Sequence, residues 1–281
     1  MHHHDHDDVH DHDKGLSHDL PRMLSRRRAL SVFGGAGLLA LAGCADDATT
    51  GTSATATASG PAATAAASTA VAGTDEIPEE TGGPYPADGS NGVNVLTESG
   101  IVRSDITKSF GSASGVATGV PLTIALTVLD VADGAASPYG GAAVYLWHCD
   151  IDGNYSLYSQ GVERENYLRG VQEAGADGTV TFTSIYPAAY SGRWPHVHFE
   201  VYPSLEAATT AGGRLRTSQL ALPEDTSKLV YATDGYSRSV SNLAQTSLDT
   251  DNVFLDGYSL QLATVTGTVT DGLVARLNVP V

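Results

Sequence analysis

From about residue 120 onward, the apolar positions of this chain recur with a period of two. Leu122, Ile124, Leu126 and Val128 alternate with Thr123, Ala125 and Thr127, the spacing of a strand that buries one face. Val144 to Cys149 predicts a second strand, stopped by the turn residues Asp150-Ile151-Asp152-Gly153-Asn154. Val180 to Thr183 follows the turn Asp177-Gly178, and Ile185 leads into Pro187. Leu229-Val230-Tyr231, Leu260 to Val265 and Leu273 to Val279 read as further strands. Gly- and Asp-rich turns separate them, and no segment sustains a helical period. Short strands with frequent turns predict a mainly β fold, an antiparallel β-sandwich whose long connecting loops carry the functional groups.

One predicted strand differs from the rest. In Arg193-Trp194-Pro195-His196-Val197-His198-Phe199-Glu200-Val201-Tyr202, alternation puts Val197, Phe199 and Val201 on one face and His196, His198, Glu200 and Tyr202 on the other. Two imidazoles about 7 Å apart along a strand can reach one metal ion. They can equally be two unrelated histidines on an exposed face. Glu200 lies about 13 Å from His196 along an extended strand, too far to complete a two-histidine-one-carboxylate triad. Two tyrosines stand near candidate ligand positions. Tyr155 follows the tight Asp152-Gly153-Asn154 turn and is expected to emerge at a strand end, and Tyr190 lies in the loop from Tyr186 to Arg193. Loops at the end of a sandwich are where functional side chains gather. In a chain with 12 tyrosines, each taken alone reads as packing.

The N-terminal part has a different texture. Residues 1–20 are crowded with histidine and aspartate, a metal-gathering tail or a hydrophilic leader. Ser25-Arg26-Arg27-Arg28-Ala29-Leu30 resembles a twin-arginine export motif, and the apolar run from Leu30 to Leu41 is too short to span a membrane. Leu41-Ala42-Gly43-Cys44 resembles a bacterial lipobox, with Cys44 as the lipidated residue. Residues 1–44 therefore read as an export signal, residues 45–74, rich in Ala, Thr and Ser, as a flexible tether, and residues 75–281 as the folded domain. On that reading the protein is exported and meets the membrane only through a lipid anchor. Thirty-two acidic against 15 basic side chains give a net charge of −17, which keeps the domain soluble and excludes nucleic acid as a partner. With Cys44 committed elsewhere, Cys149 has no disulfide partner and is expected to be a small buried hydrophobe.

Three stretches together resemble a known family. They are Trp147-His148-Cys149-Asp150-Ile151-Asp152-Gly153-Asn154-Tyr155-Ser156, then Thr183 to Pro187 leading to Tyr190, then Gly192-Arg193-Trp194-Pro195-His196-Val197-His198-Phe199. This ordered set resembles the intradiol ring-cleavage dioxygenases, relatives of catechol 1,2-dioxygenase and protocatechuate 3,4-dioxygenase, and among them an exported bacterial branch. The resemblance implies a non-haem Fe(III) site with Tyr155, Tyr190, His196 and His198 as ligands. A small aromatic diol and O2 would be the substrates, and a muconate-type diacid the product. It further implies that Tyr190 is the ligand a bound catechol displaces. Arg193 would stabilise charge building on the ring, Gln219 would lie near the substrate, and Tyr85 would wall the pocket. Two phenolates suit a ferric ion, whereas zinc more usually takes cysteine, histidine and carboxylate. An envelope-anchored sandwich that binds a partner without catalysis, or a zinc or copper site on the same scaffold, are the alternatives. The chain departs from the cytosolic enzymes in lacking a recognisable N-terminal helical dimerisation domain and in its short Tyr190-to-His196 interval, which implies a more open pocket and a broad substrate range.

Overall fold

The computed structural model of the chain describes residues 75–210 and 212–281. The export signal and tether read at 1–44 and 45–74, with Cys44, lie outside the described residues. Strands β1 (Pro121–Asp130), β2 (Ser137–Pro138), β3 (Ala143–Trp147), β4 (Arg169–Glu173), β5 (Thr179–Ile185), β6 (His196–Tyr202), β7 (Arg216–Ala221), β8 (Thr264–Thr268) and β9 (Gly272–Pro280) form two sheets. In one, β1 is flanked by β5 and β2 on one side and by β9 and then β8 on the other. In the other the order is β4-β3-β6-β7, antiparallel throughout. The sandwich expected from the alternation is the fold observed, with one parallel pair inside it, β1 with β9.

Between the sheets the alternating residues do what their spacing predicts. Leu122, Ile124, Leu126 and Val128 of β1 share one core with Val144 and Leu146 of β3 and Val197, Phe199 and Val201 of β6. The opposite face of the smaller sheet does not meet water. Tyr145, Trp147, Val171 and Tyr202 pack there with Val95, Leu96 and Ile101 from the segment before β1, and with Tyr155. That segment is stitched to both sheets by its backbone. Ile77 N–H donates to the Pro280 carbonyl at 2.8 Å, Glu80 to Thr217 at 2.7 Å, Arg103 to Val171 at 3.0 Å and Ile106 to Thr183 at 3.0 Å. Strand β6 is thus buried on both faces along its whole length, and its polar face looks into a closed second layer.

Several local readings are corrected. Leu229-Val230-Tyr231 is not a strand but the end of helix α2 (Glu224–Tyr231), which follows α1 (Leu205–Thr209) and precedes α3 (Ser237–Leu243). Ser227, Val230 and Tyr231 are its buried residues, a helical spacing that the three-residue apolar run conceals. Glu224 and Asp225 at its start complement the helix dipole, and Lys228 pairs with Glu224 at 2.6 Å. Leu260-Gln261-Leu262 forms turns and a single bridge to Ala221, so β8 starts only at Thr264. β4 (Arg-Gly-Val-Gln-Glu) carries too little apolar signal to be read as a strand. Its Arg169 is nevertheless buried, donating to the Pro86 and Ser156 carbonyls and to the Tyr145 and Ser156 hydroxyls. Tyr155 follows its turn as expected but is buried rather than emergent, because the second layer closes over it. Cys149 is buried and free, its thiol directed at the Ala188 carbonyl.

The turn into β5 requires a glycine. Gly178 has φ +76°, a Cβ there would collide with the Val128 carbonyl oxygen, and Val128 N–H donates to the Gly178 carbonyl at 2.8 Å. Gly161 has φ +89° but open space around it. Gly178→Ala is expected to lose about 2–4 kcal/mol of unfolding free energy, from strained φ plus collision, and Gly161→Ala about 1 kcal/mol from φ alone. Urea unfolding curves of the two variants check this; equal losses would contradict the register of β1 against the turn.

Candidate metal centre

His196 opens β6 directly after Trp194-Pro195, where the chain turns into the sheet. Its Nδ1 lies 2.5 Å from the Trp194 carbonyl oxygen. A carbonyl only accepts, so Nδ1 carries the proton and the Nε2 lone pair is left to face inward. His198, two residues on, presents its Nε2 3.1 Å from that of His196. Both rings are buried.

The tyrosines arrive on two loops. Asp150 Oδ1 accepts from the backbone N–H of Asp152 (3.0 Å) and Asn154 (2.9 Å), tightening the turn that precedes Tyr155. A Cβ on Gly153 would lie 3.1 Å from that of Tyr190, so glycine lets the two loops approach. Tyr155 N–H then donates to Ser159 Oγ at 2.9 Å. The Tyr190 loop is held from below by the helices. Tyr231 Oη donates to the Pro187 carbonyl, Tyr236 Oη to the Tyr186 carbonyl, and Asn242 Nδ2 to the Ala189 carbonyl. Tyr155 is closed off, whereas Tyr190 is partly exposed.

The four side chains converge. Tyr155 Oη stands 3.5 Å from Tyr190 Oη and 3.4 Å from His196 Nε2, and Tyr190 Oη stands 3.3 Å from His196 Nε2. Donor atoms at these separations are within reach of one ion held by metal–nitrogen and metal–oxygen bonds of about 2 Å. Among the described residues no group of three or more His, Cys, Asp or Glu side chains forms a metal site; this cluster departs from that pattern because half of its donors are phenols. Burial, with a smaller contribution from Arg193, pushes the His196 imidazole well below its ordinary pKa, and burial together with the neighbouring His196 does the same to His198. Both are neutral, as ligands must be. Burial raises the phenols of Tyr155 and Tyr190, so in the metal-free protein they hold their protons and only a strongly polarising cation would displace them. Two phenolates on a trivalent ion leave a site charge near +1. The donor set fits Fe(III).

Arg193 stands beside this cluster, its Nη1 3.5 Å from His196 Nε2. Its other nitrogens are occupied: Nε donates to Asp251 Oδ2 at 2.9 Å and Nη2 to Gln219 Oε1 at 2.6 Å. Gln219 in turn donates to the Thr81 carbonyl at 2.9 Å. Burial opposes the Arg193 charge, yet Asp251 and the neighbouring phenols more than offset it and raise its pKa above the ordinary guanidinium value. The Tyr85 ring lies 4.9 Å from that of Tyr155. Glu200 lies outside the cluster, accepting from Tyr202 Oη at 2.7 Å and Arg214 Nη1 at 2.6 Å.

Asp251 is the residue that sequence reasoning missed. It is wholly buried, and besides Arg193 it accepts from the backbone N–H of Trp194 at 2.7 Å and Val253 at 2.8 Å. It lies among Asp249, Thr250 and Asn252 in a polar run that reads as surface turn, and no local signal separates it from Asp249.

Residues 102–211 match the family model Dioxygenase_C, described as dioxygenase, and the four converging residues lie inside that span. The chlorocatechol 1,2-dioxygenase of Rhodococcus opacus is 38% identical over 60 residues, which is 21% of this chain and 23% of that protein. Among solved structures, an intradiol ring-cleavage dioxygenase from Tetranychus urticae superposes with a TM-score of 0.58 at 24% identity, covering 73% of this chain and 94% of that one. The dioxygenase domain of a dioxygenase–carbohydrate-binding fusion from Streptomyces sp. SirexAA-E reaches a TM-score of 0.47 at 22% identity, covering 74% and 98%. The chain thus resembles the intradiol ring-cleavage dioxygenases in its central sequence and shares their sandwich fold.

Two outcomes follow from this arrangement. Asp251→Ala leaves the Arg193 guanidinium buried without its counter-ion and is expected to cost about 3–5 kcal/mol in urea unfolding; a loss below about 1 kcal/mol would contradict the geometry. The metal-free protein should also lose thermal stability as pH falls from 7 towards 4.5. Unfolded imidazoles take up protons near pH 6.5, whereas His148, buried against the Cys149 carbonyl, is depressed to about 4, and His196 and His198 are depressed too. The unfolded state therefore binds more protons, and acid favours it. Glu200, pushed up to about 7 by burial, and Asp150, also raised by burial, act in the opposite sense, two carboxyls against three imidazoles. A melting temperature that stays flat or rises towards pH 4.5 would contradict this.

Proposed function

We propose, from that resemblance and from the site itself, that the protein is an intradiol ring-cleaving dioxygenase acting on catechol-type diols. The observation that carries the reading is that Tyr155 Oη, Tyr190 Oη and His196 Nε2 lie within 3.3–3.5 Å of one another and His198 Nε2 lies 3.1 Å from that of His196, with Arg193 beside them. Tyr155, Tyr190, His196 and His198 would hold Fe(III), which when bound makes the diol ring electron-rich enough to react with O2.

The protein's part follows from the individual residues. Tyr155, buried and tied to Ser159, stays in place. Tyr190, partly exposed at a loop end, is the donor free to swing aside, and its Oη can take a proton from the incoming diol. Arg193 keeps one face of its guanidinium towards the cluster because Asp251 and Gln219 occupy the rest. It is thereby a fixed cation where negative charge grows on the ring, and it needs no reorganisation at the moment of reaction. Gln219 and the Thr81 carbonyl hold that cation in register with the N-terminal segment. Tyr85, stacked at an angle on Tyr155, offers an aromatic wall to a flat substrate. The export signal read in residues 1–44, with lipid on Cys44, would put this chemistry at the cell envelope or outside it. A broad range of substituted catechols suits that location and the short loop before His196.

Iron-loaded protein supplied with catechol and air should consume O2 and accumulate a muconate absorbance one for one. The loaded protein should be burgundy, from phenolate-to-Fe(III) charge transfer. Tyr155→Phe and His198→Ala are expected to abolish both colour and cleavage. Arg193→Leu should retain the colour and lose about 10²–10³-fold in kcat. A colourless iron-loaded protein, or colour with no O2 uptake from any catechol, would refute the reading.

A further inference from the structure

His196 and His198 are held in unlike ways. His196 donates its Nδ1 proton to the Trp194 carbonyl at 2.5 Å, the usual way a protein fixes the plane and tautomer of a metal-binding histidine. The His198 ring's one polar contact among the described residues is at Nε2, with His196 Nε2 at 3.1 Å. Nδ1 of His198 is buried and has no hydrogen-bond partner among the described residues.

An aromatic column stands in its place. Trp147 of β3 is the cross-strand partner of His198, and the indole lies parallel to the imidazole, 4.9 Å between centroids with 6° between planes. Tyr145, two residues earlier on the same face, stacks on the indole at 4.9 Å and 22°. The far end of the column is pinned: Tyr145 Oη donates to the Pro86 carbonyl at 2.7 Å and accepts from Arg169 Nη1 at 3.1 Å. This accounts for Arg169 as a buried cation whose partners are hydroxyls and carbonyls: it ties down the root of the column. At the other edge of the imidazole, a Cβ on Gly83 would lie 3.4 Å from His198 Cε1, so the backbone there closes on the ring.

We propose that Trp147 is the positioning residue for His198, its indole face doing for this ligand what the Trp194 carbonyl does for His196. The inference rests on the ferric reading above. Stacking fixes the plane of the ring without polarising its Nδ1–H. His198 therefore binds the metal as the less basic of the two imidazoles, and it depends on the column to stay aimed. Removing the aromatic face should loosen the ligand even where the fold survives.

The test compares iron-loaded wild type with Trp147→Phe, which keeps a ring, Trp147→Leu, which keeps only apolar bulk, and Val171→Ala, a cavity in the same packed layer opposite Tyr145 that leaves all three rings in place. Iron release to a chelator and the ferric electron paramagnetic resonance signal are read on each. Loss of an orienting partner of a metal ligand typically costs 10–100-fold in affinity. Trp147→Leu is therefore expected to release iron at least about tenfold faster and to broaden the ferric signal. Trp147→Phe should stay within about threefold of wild type, and Val171→Ala should match it. Trp147→Met replaces the Leu variant, with the same expectation, if that variant does not fold. A Leu or Met variant with wild-type release and signal would overturn the proposal, as would Val171→Ala releasing iron just as fast, since that would mark a general loss of stability. Wild-type protein that takes up no iron would overturn the ferric reading, and this proposal with it.

Discussion

A strand buried on both faces cannot leave its polar side chains to water, and β6 is such a strand. Every polar group on it must find a partner inside the protein or a ligand, because an unpaired buried donor or acceptor costs on the order of 1–3 kcal/mol. Glu200 finds Tyr202 and Arg214, and His196 finds the Trp194 carbonyl on one side. Among the described residues, what remains is the two imidazole Nε2 atoms and the two phenols, grouped together, and an unpaired Nδ1 on His198. On the function proposed above, a metal ion would be the partner that satisfies all four grouped atoms together. The second layer, built from the segment before β1 and the loop after β3, creates both the burial and the demand.

The same closure explains the reach of the site along the chain. A cation is useful beside a metal centre only if it is fixed, and a fixed buried cation needs a counter-ion with its own hydrogen bonds. Arg193 has one in Asp251, which also accepts the Trp194 N–H and so locks the turn that opens β6. Gln219 joins the same guanidinium to the Thr81 carbonyl. Segments near residues 81, 193, 219 and 251 therefore meet at one group, and the histidine-bearing edge of the sheet is set by polar contacts rather than by apolar packing. The apolar face of β6 keeps the strand in the sandwich, and the polar face is held from the opposite side.

Much of this was legible in the chain. The alternation of Leu122 to Val128 and of His196 to Tyr202 is the alternation of two observed strands, and the Asp150-to-Asn154 turn precedes Tyr155 as expected, although the second layer buries that ring. What escaped has a common cause. β4 is recognised only by its neighbours, since Arg169 is buried by hydroxyls and carbonyls from elsewhere in the chain. Leu229-Val230-Tyr231 is too short to show a period, and it took up the helix begun at Pro223. Asp251 is one acidic residue in a polar turn until the fold brings Arg193 to it. Burial of the polar face of β6, which encloses the two histidines with the two phenols, is a property of the second layer and of no single strand.

The central claim is that Tyr155, Tyr190, His196 and His198 share one ferric ion. Anomalous diffraction from crystals of the iron-loaded protein, collected on both sides of the iron absorption edge, tests it directly. One strong iron peak is expected about 2 Å from Tyr155 Oη, Tyr190 Oη, His196 Nε2 and His198 Nε2. A peak at another cluster, or one that touches the histidines but neither phenol, would contradict it.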